Sequence, residues 1–150
     1  MDAYNYKSNP FLQYSWMYIQ RELNKAYAAF SALLVPNSSL STIATGNWGC
    51  GIYAGNKQLK FLIQWIALSV VNQKKSDLKM EYYTFADEKL TKEIQEFVKL
   101  VNEHKITVVK MIQVLTQAEE MFNLVESKSN VFLFILKSLQ IENFQEEIFL

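Results

Sequence analysis

Apolar and polar positions follow a helical period over most of this chain and a strand-like pattern in two short places. Ile19, Leu23, Ala26, Tyr27 and Phe30 recur at helical spacing, with Gln20, Arg21, Asn24 and Lys25 between them. Asn9 and Pro10 suit the start of that helical region, because proline's fixed φ and missing amide are tolerated in a first turn. Pro36 to Ser39 is a turn cluster that ends it. Leu40 to Thr45 is short, partly β-branched and followed by glycine, the pattern of a strand entering a loop.

From Lys57 to Val71 the spacing predicts a helix that is apolar on most sides, with Lys57, Lys60 and Gln64 as its narrow polar strip. Met80 to Phe85 is rich in aromatics and reads as a second strand. Asp87 is placed to cap a helix whose Leu90, Ile94, Phe97, Val98 and Val101 share one face. Thr107 is placed to cap another, along which Val108, Met111, Ile112, Leu115, Phe122 and Val125 align. The apolar run Val131 to Leu136 fits strand or helix equally by pattern. Strand, loop, helix, strand, then helices is an α/β order. Two clear strands make an incomplete sheet with edges that a complete domain would usually pair or cover.

All four glycines of the chain (Gly46, Gly49, Gly51 and Gly55) fall in the junction between the first strand and the following helix. Glycine permits positive φ and lets a ligand approach the backbone. Amides at a strand end and a helix start, aided by the helix dipole, suit an anion such as a diphosphate. Trp48, Tyr53 and Phe85 are near enough in sequence to flank a nucleotide, although by residue type alone each ring belongs more readily to the core. Gly49 to Ala54 also fits the relaxed dinucleotide fingerprint G-x-G-x-x-A, which would make the chain a Rossmann-type dinucleotide binder. The acidic residue that reading requires is poorly placed: Glu81 is early in the next strand and Asp87 lies beyond it.

Composition narrows the classes. With 50% hydrophobic and 20% charged residues the chain is an ordinary globular sequence, which excludes wholesale disorder. Fifteen basic and 15 acidic side chains cancel, so no broad field for duplex DNA is expected. The lone Cys50 fits a reducing compartment, nucleus or cytoplasm. No signal pattern precedes Pro10, and Phe61 to Val71 is too short to cross a bilayer, so a soluble protein that is not secreted is expected. One cysteine and one histidine, His104, do not make a usual zinc site. No cofactor is implied, and Ser39 and Ser41 have no neighbouring histidine to activate them.

Ala44-Thr45-Gly46-Asn47-Trp48-Gly49-Cys50-Gly51 resembles the signature loop of poly(ADP-ribose) glycohydrolases. Arg21 to Tyr27, Lys57 to Lys60, Ile63-Gln64 and Tyr83-Thr84-Phe85 resemble that family in the same order, and the likeness runs from about Asp2 to Phe122. It displaces the Rossmann reading. The resemblance implies a partial macrodomain-like three-layer fold over residues 1–125, with 126–150 as a divergent extension. It implies ADP-ribose, free or ending a poly(ADP-ribose) chain on modified proteins, as ligand. Asn47, Trp48, Gly49, Cys50, Gly51 and Ile52 would contact the diphosphate and adjoining ribose. Tyr53, usually phenylalanine in the family, would pack on the ligand, and Phe85 would lie beside adenine. Where the family continues Gly-Gly-Asp, this chain has Ala54-Gly55-Asn56.

The family's hydrolytic carboxylates follow a triple-glycine loop as Gln-Glu-Glu, upstream of the signature. No triple glycine exists here, and Gln145-Glu146-Glu147 lies at the other end of the chain without such a loop. The expectation is therefore a chain with no catalytic residue of its own. It would be a fragment of the enzyme lacking an N-terminal half, or an inactive ADP-ribose-binding module.

Overall fold

The computed structural model describes residues 1–36, 39–118, 130–142 and 144–149. Asn9 caps a 3-10 turn, Pro10–Tyr14, by accepting from the Phe11 amide at 3.2 Å. The extended Ser15 then breaks the chain before helix α1, Trp16–Phe30, so the helical region predicted from Pro10 is two elements. Strand β1 is Thr42–Gly46, helix α2 Lys57–Asn72 and strand β2 Lys79–Tyr83. Helices α3 (Glu88–Glu103), α4 (Val108–Thr116) and α5 (Val131–Ser138) follow. The short turn Glu146–Ile148 packs against α3.

The predicted caps are in place: Asp87 accepts from the Leu90 amide at 3.0 Å and Thr107 from that of Lys110 at 3.2 Å. Two further caps are Asn56 on α2 and Asn130 on α5, accepting from Leu59 and Leu133 at 2.9 and 3.0 Å. Each satisfies an amide that the first turn leaves without a partner. The run at Val131 is thus a helix, started by its asparagine. Phe122 and Val125, aligned with α4 in the sequence, lie outside the described residues.

The sheet is parallel and two-stranded, with Thr42 opposite Lys79 and Gly46 opposite Tyr83. Its strand β2 ends at Tyr83, two residues earlier than the aromatic pattern suggests. The reason is backbone conformation: Phe85 and Ala86 have φ of 58° and 62°, the left-handed region, which no strand continues through. On the face turned to α2 lie Ile43, Thr45, Met80 and Tyr82; Ala44, Glu81 and Tyr83 are exposed on the other.

Helix α2 is the centre of the molecule, touching α1, α3, α4 and α5. Its Phe61 meets Phe132 of α5 edge to face at 5.9 Å, and Phe132 stacks on Phe97 of α3 at 4.4 Å. Beside these rings Gln58 accepts from the Val131 amide at 2.7 Å and donates to Glu93 at 2.8 Å, so the buried polar atoms there are mutually satisfied. Burial pushes the Glu93 carboxyl up despite these bonds. Among the described residues no helix is long and apolar enough to cross a membrane.

Candidate functional site

The glycine loop leaves β1 at Gly46 and enters α2 at Asn56. Close approach fixes its first residue: a Cβ on Gly46 would stand 2.6 Å from the Tyr83 carbonyl oxygen and 2.9 Å from the Phe85 ring. Gln64 of α2 donates to the Gly46 carbonyl at 3.1 Å and accepts from the Thr45 hydroxyl at 2.5 Å, which pins the strand end to the helix. Asn47 turns its side chain back toward β2, donating to the Thr84 carbonyl at 3.2 Å and accepting from the Tyr82 hydroxyl at 3.0 Å.

Within the loop, Trp48 donates its amide to Gly46, Cys50 to Asn47, Ala54 to Gly51 and Gly55 to Gly49, all between 2.7 and 3.0 Å. Asn56 donates its amide to the Gln13 side chain at 2.6 Å, and Tyr6 donates to the Tyr53 carbonyl at 2.9 Å. The amides of Gly51, Ile52 and Tyr53 donate to no acceptor among the described residues. All three residues are exposed, and a Cβ on Gly51 would meet nothing within 4 Å. Three consecutive donors in open space are what an anion needs from a backbone.

The loop's two sides differ. Ile52 is 74% exposed and Tyr53 41%, and Phe85, 78% exposed, lines a groove of about 590 Å³ with Ala44, Tyr83 and Thr91. Trp48 instead faces the underside: its indole nitrogen donates to the Met1 carbonyl at 3.2 Å, and the Lys60 ammonium lies 4.1 Å from its ring centroid. Cys50 is half-buried with its sulfur 3.6 Å from the Trp48 carbonyl oxygen. Burial pushes its thiol up to about 12, which keeps it protonated at neutral pH and works against a nucleophilic role.

Beneath the loop is a charged cluster that hydrophobic periodicity does not reveal. Lys60 and Glu22 are each 1% exposed and form an ion pair. The second Glu22 oxygen accepts from the Tyr4 amide at 3.0 Å and from Arg21 at 3.2 Å, and Asp2 takes Arg21 and Lys25, both at 2.7 Å. Burial, reinforced by Arg21, pulls the Lys60 ammonium down to about 7, while its contact with Glu22 favours the charged form. Of the polar strip expected on α2, Lys57 is exposed, whereas Lys60 and Gln64 are buried and bonded under the loop.

Among the described residues no three His, Cys, Asp or Glu side chains gather as metal ligands. Glu146 pairs with Lys137 of α5 at 2.5 Å on the surface. His104 is exposed at the end of α3, its Nδ1 2.9 Å from the Leu100 carbonyl oxygen.

The family model for poly(ADP-ribose) glycohydrolase, Macro domain fold, matches residues 1–92, which include α1, both strands, the loop and α2. Poly(ADP-ribose) glycohydrolase 2 of Caenorhabditis elegans is 35% identical over 88 residues, 59% of this chain and 17% of that protein. Poly(ADP-ribose) glycohydrolase 1 of Arabidopsis thaliana is 41% identical over 66 residues, 44% of this chain and 11% of its own length. Poly(ADP-ribose) glycohydrolase 1 of Caenorhabditis elegans is 32% identical over 89 residues, 59% of the chain and 11% of that protein. The chain therefore spans less than a fifth of each of these relatives, at most 17%. With a two-stranded α/β unit and a family match across more than half its length, the chain belongs to the poly(ADP-ribose) glycohydrolases, as a C-terminal part of their catalytic macrodomain.

Proposed function

We propose that this chain holds the diphosphate-binding part of an ADP-ribose site and works, in nucleus or cytoplasm, on ADP-ribose or poly(ADP-ribose). The observation that carries the reading is the run of three exposed, unclaimed amides at Gly51, Ile52 and Tyr53. A diphosphate accepts from them. The Tyr53 ring packs on the adjoining ribose, and Phe85, beside Gly46, takes the adenine. Asn47, Trp48, Gly49 and Cys50 belong to the site as the residues that shape the loop from below.

Hydrolysis of the ribose–ribose bond needs a carboxylic acid to protonate the leaving oxygen. The family places that group on the Gly-Gly-Gly and Gln-Glu-Glu segment, and the candidate in this sequence, Glu146, is a surface residue engaged with Lys137. The chain is therefore assigned binding, and catalysis is assigned to residues outside it.

Calorimetry with ADP-ribose tests the assignment. Saturable binding is expected, together with loss of affinity on the order of tenfold or more in Gly51→Val, whose side chain enters open space and leaves the fold alone. Gly49→Val is the poorer probe, because Gly49 has φ of 73° and its Cβ would stand 2.6 Å from Ala3. A flat titration of folded protein would sink the reading, and release of ADP-ribose from polymer by this chain alone would sink the division of labour.

A further inference from the structure

We propose that Lys60 is the positioning residue of the glycine loop, with Glu22 as the group that holds it in place. The two sit on different helices, 38 residues apart in sequence, and both are sealed from solvent. Two of the four loop glycines rest on this one side chain. A Cβ on Gly49 would stand 3.5 Å from the Lys60 nitrogen, and one on Gly55 3.1 Å from its ε-carbon. Those glycines are joined by the Gly55-to-Gly49 hydrogen bond at 3.0 Å, which closes the base of the segment that carries the three free amides. The lysine thus supports the neck of the loop, and the direction in which Gly51, Ile52 and Tyr53 present their N–H groups follows from it.

The ammonium also fixes Trp48. It lies 4.1 Å from that ring's centroid and 5.6 Å from that of Tyr6, so the tryptophan is held between a cation and the Met1 carbonyl. A buried lysine is costly unless paired, and removing either partner leaves an uncompensated charge. Because hydrophobic residues of similar volume often stabilise a fold as much as a buried ion pair does, stability alone does not account for this one. Under an anion loop it has a use. The ion pairs link Arg21, Lys25 and Lys60 with Asp2 and Glu22, three basic side chains with two acidic ones, so the cluster is net positive when Lys60 is protonated. Only this electrostatic contribution rests on the ADP-ribose reading; the positioning role is a property of the empty loop.

The glycine content makes the test direct, because all four glycines lie in this loop and a [15N]glycine-labelled chain gives four amide signals. In Lys60→Met the signals of Gly49 and Gly55 should leave their wild-type positions, while Gly46, held by Gln64 and the strands, stays. Glu22→Gln, which keeps the lysine but removes its counter-charge, should move the same two signals and serves where Lys60→Met does not fold. In the wild type, ADP-ribose should shift Gly51, and Lys60→Met should weaken that binding by about tenfold or more. Unmoved Gly49 and Gly55 signals in folded variants, with only the melting temperature lowered, would make Lys60 a merely structural lysine and overturn the proposal. If the two signals move but ADP-ribose shifts nothing in the wild type, the positioning role stands and the ligand assignment falls.

Discussion

Helix α2 and the β1–β2 sheet lie face to face, and their burial is opposite to that of an ordinary α/β unit. The helix buries 11 of its 16 residues, whereas neither strand contributes a single buried one. Parallel strands are normally covered on both faces and form the middle of a domain. Here the middle is a helix surrounded by helices, and the sheet is a platform with one face on α2 and the other exposed. The difference separates two tasks. Stability resides in the packing of α2 against the surrounding helices, α1 above all, while the sheet sets Gly46 beside Phe85 at the start of the loop.

The largest effect expected from that division is at the centre of α2. Leu62 is 0% exposed, and Leu62→Ala should cost about 2–5 kcal/mol of unfolding free energy through lost burial and the cavity left behind. Ala44→Ser, on the exposed face of β1, should stay within about 0.5 kcal/mol of wild type. Urea titrations of the two variants check this, and comparable losses would abolish the distinction between core helix and platform sheet.

A medium effect is expected at the seam between the two regions, where Asp87 follows β2, caps α3 and pairs with Lys57 of α2 at 2.6 Å. Asp87→Ala should cost about 1 kcal/mol, the usual worth of such a cap. Lys57 first, and the Leu90 amide second, hold the Asp87 carboxyl below its ordinary value of 3.8. A carboxylate with a depressed folded pKa contributes stability that is complete above the unfolded value and disappears as pH falls through the folded one. The difference between wild type and Asp87→Ala should therefore be constant from neutral pH down to about 5 and shrink on further acidification. A difference that grows with acid would show that the ion pair is not what the carboxylate contributes.

The same contrast explains what could be read from the sequence. The starts of α3 and α4 were legible because Asp87 and Thr107 act on amides three residues away, and local bonds leave local signatures. The loop was legible because four glycines in ten residues have no other reason to gather. The buried polar floor was not. Lys60 finds Glu22 across 38 residues and Gln64 finds Thr45 across 19, and pairing at that range has no period along the chain. A polar residue on a helix reads as a solvent-facing one until its partner is located. Phe85 misled for a related reason: aromatic residues suit strands, but this one turns into the left-handed region so that its ring can reach Gly46.

The smallest effect, and the one that discriminates best, is at Ala54. It is exposed on the open side of the loop with φ of 55°, a conformation that costs a residue with a Cβ about 1–2 kcal/mol. The family pattern has glycine there, which removes that penalty but orders a more flexible unfolded chain at about 0.5–1 kcal/mol. Ala54→Gly should therefore stabilise the protein by about 0.5–1 kcal/mol, seen as a small rise in melting temperature. The sign carries the information. A gain means the loop's conformation is imposed by its floor and by the Ala54-to-Gly51 hydrogen bond, against the preference of its own residue. A loss means the loop relaxes once the Cβ is gone, and that the unclaimed amides of Gly51, Ile52 and Tyr53 are held in place by Ala54 as much as by anything beneath them.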